Sequence, residues 1–538
     1  MAKQIPALTG IRFIAAASVA ISHGGVWFFA GNRLTLDLNI VTLALFGMSL
    51  FFTLSGFVIQ YNYGAAIARC PRKAIPEFLV ARVGRIYPLF VVLFLVELLT
   101  GPMVWHWLLG TPEQAAGGFS WHIVPFELGM VQSWFFANVA GAPPIYQFES
   151  VGRVSWSVSA EWFFYLAFPI VCPFLSRIRT VSGSILCAIG AVTIELGIDL
   201  TVWILQSRIN LFATHAYGTE TSLPNFRTSL LVWIVYFDPF CRVWEFFLGC
   251  SLAKLHELWL AQNFRPSRVL LDTLAGIGVV AVAWVFWFSA HEPPLGLEMS
   301  FFDIVRYNIA LAAPVALILV ATAQPLSTAG RLLSARWLVF LGEASFGLYL
   351  VHSVIYQRFP LVRWQTSSEL LGHLGALALA FAVATCLAVL LHFIFEAPAR
   401  RLIRGCLQRS SAEHRRRVIR LGCAGFVTLI LAAVIYAVQA VTGDHLTQQG
   451  LSVVAATYGG NCRWISVHGN ATRALAAACS GKYECTFTVR TEQIGDPAPG
   501  CAKDFMAAWI CKGDRTIRST SFRADSGFGS TVQLSCDH

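Results

Sequence analysis

The chain has 538 residues, of which 56% are hydrophobic and only 13% are charged. A soluble globular protein of this size does not have that composition, so we expect a polytopic α-helical membrane protein. The formal net charge of +10 at pH 7 does not indicate nucleic-acid binding, because Lys and Arg collect in the cytoplasmic loops of membrane proteins.

The first apolar segment, Gly10–Ala30, is long enough to cross a bilayer but contains Arg12 and His23, which are costly there. On a helix the two side chains share one face and lie roughly 16–17 Å apart along the axis. If Arg12 lies at one mouth of the membrane, His23 lies near the midplane. An ionisable residue at that depth indicates function, and a histidine bonded to a neighbouring helix is the structural alternative.

Ten further spans are predicted, because apolar runs of membrane length recur along the chain. They cover about 41–61, 86–106, 154–175, 183–205, 231–253, 269–289, 304–322, 338–358, 371–395 and 418–441. The stretch His122–Phe136 is short for a span and predicts a re-entrant or interfacial element. A basic loop before residue 86 and eight arginines between residues 397 and 420 predict the cytoplasmic side. Eleven spans then place the N-terminus in the cytoplasm and the C-terminus outside.

The end of the chain has a different character from the spans. Six of the 14 cysteines lie after residue 460, and this even number predicts a disulfide framework in an oxidising compartment. They are Cys462, Cys479, Cys485, Cys501, Cys511 and Cys536. Alternating runs such as Cys485–Arg490 and Thr531–Ser535 predict strands, so we expect a small all-β domain stapled by disulfides.

Three polar side chains stand out in or beside the early spans. A carboxylate at Glu161 must be paired or protonated in a span; it could orient His23, contact a sugar hydroxyl, or be structural. Arg82 and Arg85 precede the third predicted span and could bind phosphates. The alternative is that they are ordinary basic flanking residues on the cytoplasmic side.

Further candidates lie near the end of the membrane region. His352 and Tyr349 would be one turn apart on a helix face, and Glu396 could simply pair with Arg400. No Walker motif, dinucleotide-binding motif or zinc-ligand spacing occurs, so we expect histidine-centred chemistry without a metal.

Six motifs, in chain order, resemble those of the membrane-bound acyltransferase-3 family. They are Arg12-x10-His23, Leu50–Val58 (LFFTLSGFV, which contains Ser55), Arg82–Pro88, Trp156–Glu161, Phe346–His352 and Phe395–Pro398. Members of this family are polytopic enzymes that O-acylate polysaccharides and other extracytoplasmic acceptors. The resemblance covers about residues 1–405 and implies roles for matching positions. Catalytic roles fall to His23 and Glu161, donor binding to Arg12, Arg82 and Arg85, and supporting roles to Ser55, Tyr349, His352 and Glu396.

The tail resembles galactose/rhamnose-binding lectin domains of the sea-urchin-egg-lectin type. The matching positions are Ala456–Gly459, Cys479–Cys485, Gly495–Pro497, Gly500, Lys503 and Trp509–Cys511. It departs from them in having six cysteines where those lectins usually have more. The resemblance implies the pairs Cys462–Cys536, Cys479–Cys511 and Cys485–Cys501, whereas the cysteine count alone leaves 15 connectivities open.

These observations predict three parts: an acyltransferase-3-like membrane domain (1–405), a basic loop with an extra helix and linker (406–449), and a lectin-like extracytoplasmic domain (450–538). The expected activity is acyl transfer, most simply of acetyl, from cytoplasmic acyl-coenzyme A to a hydroxyl of a glycan such as O-antigen or exopolysaccharide. Acyl-coenzyme A is a co-substrate, and no bound cofactor is expected. His23 would be a general base or an acyl carrier. The resemblance implies the inner (plasma) membrane; the alternative function is a non-enzymatic glycan transporter or a lectin-bearing membrane receptor.

Overall fold

The computed structural model describes residues 4–28, 40–100, 124–136, 154–217, 229–291, 299–358, 370–409, 450–459, 471–495, 501–511, 518–522 and 528–536. In these residues the chain is mostly helical, and a small group of β-strands follows the helices. The chain is therefore a multi-pass helical membrane protein with a β-rich C-terminal region, as predicted.

Twelve helices of eight or more residues precede the β-rich region in the described part of the chain. They are α1 (Pro6–Phe28), α2 (Ile40–Arg69), α3 (Pro71–Thr100), α4 (Ser155–Arg177), α5 (Val181–Tyr217), α6 (Pro239–Ala261), α7 (Arg268–His291), α8 (Ile309–Thr322), α9 (Arg336–Glu343), α10 (Ser345–Arg358), α11 (Leu370–Leu391) and α12 (Ala397–Arg409). Shorter helices cover Val124–Leu128, Leu230–Val232, Phe301–Val305 and Thr328–Leu333, and π-helical turns cover Trp233–Phe237 and His392–Glu396.

Seven of the described helices are long and apolar enough to cross a membrane, and there are eight if α9 and α10, which meet at 64°, form one span. The prediction of about eleven spans is not confirmed. Two predicted spans correspond to α6, which carries charged side chains along its length, and to α8, which has only 14 residues. The last predicted span, 418–441, lies outside the described residues.

The prediction of a basic loop before residue 86 is wrong. Only Cys70 interrupts the helices there, and α3 begins at Pro71, so Arg82 and Arg85 lie on that helix. Proline is well suited to the first turn of a helix, where its missing N–H costs nothing. Hydropathy detects the apolar part of a helix, whereas the backbone hydrogen bonds of α3 continue beyond it.

The predicted span at 231–253 also begins later than expected. A π-helical turn, Trp233–Phe237, comes first, and α6 begins at Pro239. The Asp238 side chain accepts a hydrogen bond from the backbone N–H of Phe240 at 2.9 Å, which caps the new helix.

The described residues between α3 and α4, 124–136, do not form a spanning helix. The short helix Val124–Leu128 is followed by irregular backbone through Phe136. Gln132 is buried and donates to the backbone carbonyl of Ser155 at 3.0 Å. Non-helical backbone at membrane depth is stable only when protein surrounds it, so this contact fits the predicted re-entrant element.

Helices α2 and α6 approach each other so closely that only glycine fits at two positions of the contact, Gly56 and Gly249. A methyl group at Gly56 would overlap the carbonyl oxygen of Phe246, and one at Gly249 would overlap that of Thr53. Each glycine therefore faces the backbone of the other helix. Small residues allow this close approach, which is a major source of helix association in membranes.

A buried charged cluster lies beside this crossing. Arg242 and Glu245 on α6 pair at 3.0 Å, and both side chains are fully buried. Ser49 on α2 donates to Glu245 at 2.8 Å, and Asn308 donates to Asp199 on α5 at 3.0 Å. The cluster thus joins α2, α5 and α6 through polar contacts inside the apolar bundle.

The described residues of the C-terminal region form five strands in two antiparallel groups. The strands are β1 (Leu451–Tyr458), β2 (Glu484–Arg490), β3 (Phe505–Cys511), β4 (Arg518–Phe522) and β5 (Phe528–Ser535). One sheet has the order β1–β3–β4, and the other pairs β2 with β5. Alternate residues of β2 point inward, as the alternating sequence predicts.

Two expectations for this region are wrong. The region is not all-β, because α13 (Thr472–Cys479) packs against β1 and β2. The disulfide pairs implied by the lectin resemblance are also not formed: Cys479 pairs with Cys485, and Cys511 pairs with Cys536. Cys501 is disulfide-bonded as well, and Cys462 lies outside the described residues.

Replacing Gly249 with alanine tests the close crossing of α2 and α6. We expect Gly249→Ala to lower the free energy of unfolding by about 1–3 kcal/mol or more, because the new methyl group overlaps the backbone of α2. Gly197→Ala on α5 is the matched control, since no atom lies within 4 Å of the added methyl group. The midpoint of thermal unfolding in detergent measures both. Equal midpoints for the two variants would contradict the packing described.

Candidate active site

An open cavity of about 690 Å³ lies among five helices of the bundle. Its polar lining residues are Arg12 of α1, Ser55 of α2, Arg82 and Arg85 of α3, Ser157, Glu161 and Tyr165 of α4, and Ser345 and Tyr349 of α10. Apolar side chains, including Met48, Phe51 and Phe52, complete the wall. A concave site that combines an apolar wall with a few convergent polar groups is typical of a small-molecule site.

Arg82 is built firmly into the wall of the cavity. It is 6% exposed and donates to the hydroxyl of Tyr63 at 2.8 Å. Its guanidinium carbon also lies 4.9 Å from the ring centroid of Tyr63, and 5.7 Å from that of Tyr165. These contacts hold one guanidinium plane between aromatic faces, which an ordinary flanking arginine does not require.

Glu161 is the acidic side chain of the cavity wall. It accepts a hydrogen bond from Ser55 at 3.0 Å and another from Tyr165. Tyr165 lies four residues after Glu161 on α4, so the two side chains are neighbours on one face of the helix. Arg12 and Arg82 both lie within electrostatic range of this carboxylate. One carboxylate cannot neutralise three guanidinium groups, so the cavity carries a net positive charge.

Tyr349 closes the cavity on the side of α10. Its hydroxyl lies 2.6 Å from that of Ser157 and donates to the backbone carbonyl of Val154 at 3.2 Å. Its ring centroid is 6.0 Å from that of His352, one turn further along α10. The cavity therefore ends next to a second group of polar residues.

That second group is a pair of histidines. Nδ1 of His23 lies 2.9 Å from Nε2 of His352, and the two rings stack with their centroids 5.2 Å apart. His352 is 0% exposed, whereas His23 is partly exposed. The contact joins α1 to α10 directly. Orientation of His23 by Glu161 was one predicted possibility, but the partner seen in the described residues is His352.

The structure thus brings most of the predicted residues together, although in two adjoining groups. Arg12, Ser55, Arg82, Arg85, Glu161 and Tyr349 share the cavity, and His23 and His352 form the pair beyond Tyr349. Glu396 is separate: it pairs with Arg400, as the sequence suggested, and also with His392 at 3.0 Å. No three His, Cys, Asp or Glu side chains of the described ranges approach closely enough to hold a metal ion.

Sequence reasoning missed three aromatic or hydroxyl residues that shape the site. Tyr63 holds Arg82, Tyr165 donates to Glu161, and Ser157 contacts Tyr349. Tyr165 and Ser157 each lie four residues from Glu161, so the helical period could have found both. Tyr63 is distant in sequence from its partner and carried no such signal.

Comparison with known proteins identifies the family. A family model described as an acyltransferase domain, that of the acyltransferase-3 family, matches residues 5–395. The chain belongs to the acyltransferase-3 family. It is therefore a membrane acyltransferase, and the non-enzymatic alternative is set aside. The matched residues include Arg12, His23 and Glu161.

Several curated relatives are similar to this acyltransferase-3 family member. Acyltransferase MdmB of Streptomyces mycarofaciens is 30% identical over 418 residues, which are 74% of this chain and 92% of that protein. The peptidoglycan O-acetyltransferase OatA of Listeria monocytogenes is 23% identical, over 65% of this chain and 49% of that protein. The O-acetyltransferase OatA of Staphylococcus aureus is 22% identical, over 69% of this chain and 53% of that protein. The chain thus spans about half the length of the two OatA proteins.

Replacing Arg82 with lysine tests whether this arginine is part of the cavity wall. We expect Arg82→Lys to lower the free energy of unfolding by about 2 kcal/mol, because an ammonium group cannot reproduce the stacked, planar guanidinium. Arg72→Lys is the control, since Arg72 is exposed on the first turn of α3. Thermal unfolding in detergent measures both. An unchanged midpoint of unfolding for Arg82→Lys would contradict this role and would indicate that Arg82 is an ordinary basic flanking residue.

Proposed function

We propose that this protein is an O-acyltransferase that moves an acetyl group from acyl-coenzyme A to a hydroxyl of a surface or secreted glycan. His23 acts as the general base or carries the acyl group itself, Glu161 assists it, and Arg12, Arg82 and Arg85 bind the donor. The observation that carries the proposal is one cavity that these three arginines line together with Tyr349, whose ring centroid lies 6.0 Å from that of His352, the partner of His23.

The charge of the cavity supports an anionic donor. Coenzyme A carries several phosphate groups, and guanidinium groups bind phosphate through short, charge-assisted hydrogen bonds. The excess of three guanidinium groups over one carboxylate favours such an anion. The apolar side chains of the wall, such as Phe51 and Val58, would contact the less polar arm that carries the thioester.

The geometry of α1 supports the path of that arm. Arg12 and His23 lie on one uninterrupted helix, about three turns apart on the same face, which corresponds to roughly 16–17 Å. A donor held by its phosphates at Arg12 would extend its thioester towards His23. Thus one helix carries both the anchoring residue and the reacting residue.

The proposed reaction is the attack of the glycan hydroxyl on the thioester carbonyl carbon. His23 takes the hydroxyl proton, the new C–O bond forms, and the C–S bond breaks. The proton then passes from His23 to the leaving thiolate. In the second form of the proposal, a nitrogen of His23 bonds to the carbonyl carbon as the C–S bond breaks and the thiolate leaves. The glycan hydroxyl then attacks the acylated imidazole, the C–N bond breaks, and the hydroxyl proton passes to the thiolate.

The acceptor and the orientation are argued from separate observations. Two relatives are named as O-acetyltransferases, one of them as a peptidoglycan O-acetyltransferase, which favours a glycan acceptor here. Basic residues concentrate between residues 397 and 420, which favours the cytoplasmic side for that segment. With the bent pair counted as one span, eight spans of the described residues precede it, and an even number favours the same side for the N-terminus. The donor side is then the cytoplasm, the tail lies outside it, and the inner (plasma) membrane holds the enzyme.

Labelled acetyl-coenzyme A tests the proposal directly. Membranes containing the wild-type protein should transfer label to isolated surface glycan, and His23→Ala should lower that rate by at least about 100-fold. Arg12→Ala should mainly raise the KM for acetyl-coenzyme A. His291→Ala is the control, because His291 is exposed at the end of α7.

Two results would contradict the proposal. Full transfer by the His23→Ala variant would remove His23 from the mechanism. A change only in the KM for the glycan, caused by Arg12→Ala, would show that Arg12 does not face the donor.

The tail extends the proposal to acceptor capture. A lectin-like module tethered near the membrane would raise the local concentration of glycan chains. Removing residues 450–538 should therefore raise the KM for a polymeric glycan by about tenfold or more, while transfer to a short acceptor continues at the wild-type rate. Initial rates with both acceptors measure this. Loss of transfer to the short acceptor as well would show that the tail is part of the active site or of the fold.

A further inference from the structure

The hydrogen bonds of His352 determine which of its nitrogens carries the proton. Nδ1 of His352 lies 3.1 Å from the backbone carbonyl oxygen of Leu348. A carbonyl oxygen only accepts, so this contact requires a proton on Nδ1. In a neutral imidazole the other nitrogen, Nε2, then has a lone pair and only accepts.

The same reasoning extends to His23. Its Nδ1 lies 2.9 Å from Nε2 of His352. Since that nitrogen accepts, Nδ1 of His23 must donate its proton to it. In neutral His23 the remaining nitrogen, Nε2, therefore carries a lone pair. A chain of two hydrogen bonds, which starts at a backbone carbonyl, selects one tautomer of the histidine proposed to react.

The ring of His352 is held too rigidly to reverse this arrangement. The ring of Tyr356 contacts it edge-on, with centroids 5.6 Å apart, and that of Tyr349 lies 6.0 Å away on the other side along α10. The side chain is fully buried. A ring flip would place a carbon, in place of Nδ1, against the carbonyl oxygen of Leu348, and would leave that buried contact without its hydrogen bond.

We propose that His352 is a positioning residue that keeps Nε2 of His23 unprotonated and available to the substrate. Neither histidine is among the residues that line the cavity, but His352 is fully buried, whereas His23 is partly exposed. His352 therefore acts through His23 and contacts no reacting atom. This inference rests on the proposed function, because it matters to catalysis only if His23 reacts.

The reaction step uses one nitrogen throughout. The acceptor hydroxyl gives its proton to Nε2 of His23 as the hydroxyl oxygen bonds to the carbonyl carbon of the thioester. The C–S bond breaks, and the thiolate takes the proton from the same nitrogen. His23 and His352 return to their starting protonation, and the His23 Nδ1–H bond to His352 is kept throughout. An acyl-carrier role would need the same lone pair on Nε2.

A pair of substitutions at residue 352 separates positioning from packing. His352→Leu removes the acceptor with a similar side-chain volume and should lower kcat about 10- to 100-fold, with little change in the KM for acetyl-coenzyme A. His352→Gln restores an acceptor oxygen close to the position of Nε2 and should recover most of that rate. His256→Leu is the control, because His256 is also buried and hydrogen-bonded, to Gln324, in another part of the bundle. This control should keep the wild-type kcat.

Nitrogen NMR of the full chain with ¹⁵N-labelled histidine gives a readout that does not depend on activity. The signals of His23 are identified by their loss in the His23→Gln variant, and correlation with the ring carbons assigns each nitrogen. The wild-type protein should show His23 with a protonated Nδ1 and an unprotonated Nε2. The His352→Leu variant should show a mixture of tautomers.

Each outcome decides between the inference and its alternatives. A protonated Nε2 in wild-type His23, or a wild-type kcat for His352→Leu, would overturn the positioning role even if His23 is essential. If His352→Leu does not fold, the wild-type spectrum decides alone. Full activity of His23→Ala would instead overturn the proposed function, whatever the spectrum shows.

Discussion

The close crossing of α2 and α6 is the constraint on which the site depends. Gly56 and Gly249 bring the two backbones into contact, so the rotation of α2 about its axis has little freedom. The residue before Gly56 is Ser55, which donates to Glu161 on α4. The close crossing therefore fixes the position of Ser55, the hydroxyl partner of the cavity carboxylate. The polar contacts of the site thus depend on the packing of the helix backbones.

Two groups of polar side chains in the bundle have opposite balances of charge. Around Arg242, the carboxylates of Glu195, Asp199 and Glu245 outnumber the one guanidinium group, and Glu245 is paired with it at 3.0 Å. In the cavity, three arginines meet only one glutamate. An uncompensated charge in an apolar environment costs stability. The excess of guanidinium groups in an open cavity is therefore the feature that favours the anionic donor proposed above.

Much of the site could be predicted from sequence because its signals are local. The spacing of Arg12 and His23, and the glutamate within the fourth predicted span, are visible in single helices. Contacts between helices carried no comparable signal, so the pairing of His23 with His352 was missed. The predicted helix ends were wrong where hydropathy does not determine the boundary, as at Pro71 and Pro239, where helices begin at a proline. The predicted cysteine pairs were wrong because the spacing of cysteines does not determine which of them are joined. The pairing implied by the remote lectin resemblance does not hold for this chain.

The 64° bend between α9 and α10 has an electrostatic consequence. Because the chain bends at Ala344, a new helix begins at Ser345, and its first turn presents Ser345 and Phe346 to the cavity. The N-terminal end of a helix carries a partial positive charge from its aligned peptide groups. This contribution comes from the backbone, so it adds to the guanidinium groups and no side-chain substitution removes it. The positive potential of the cavity is in part a property of the shape of the chain.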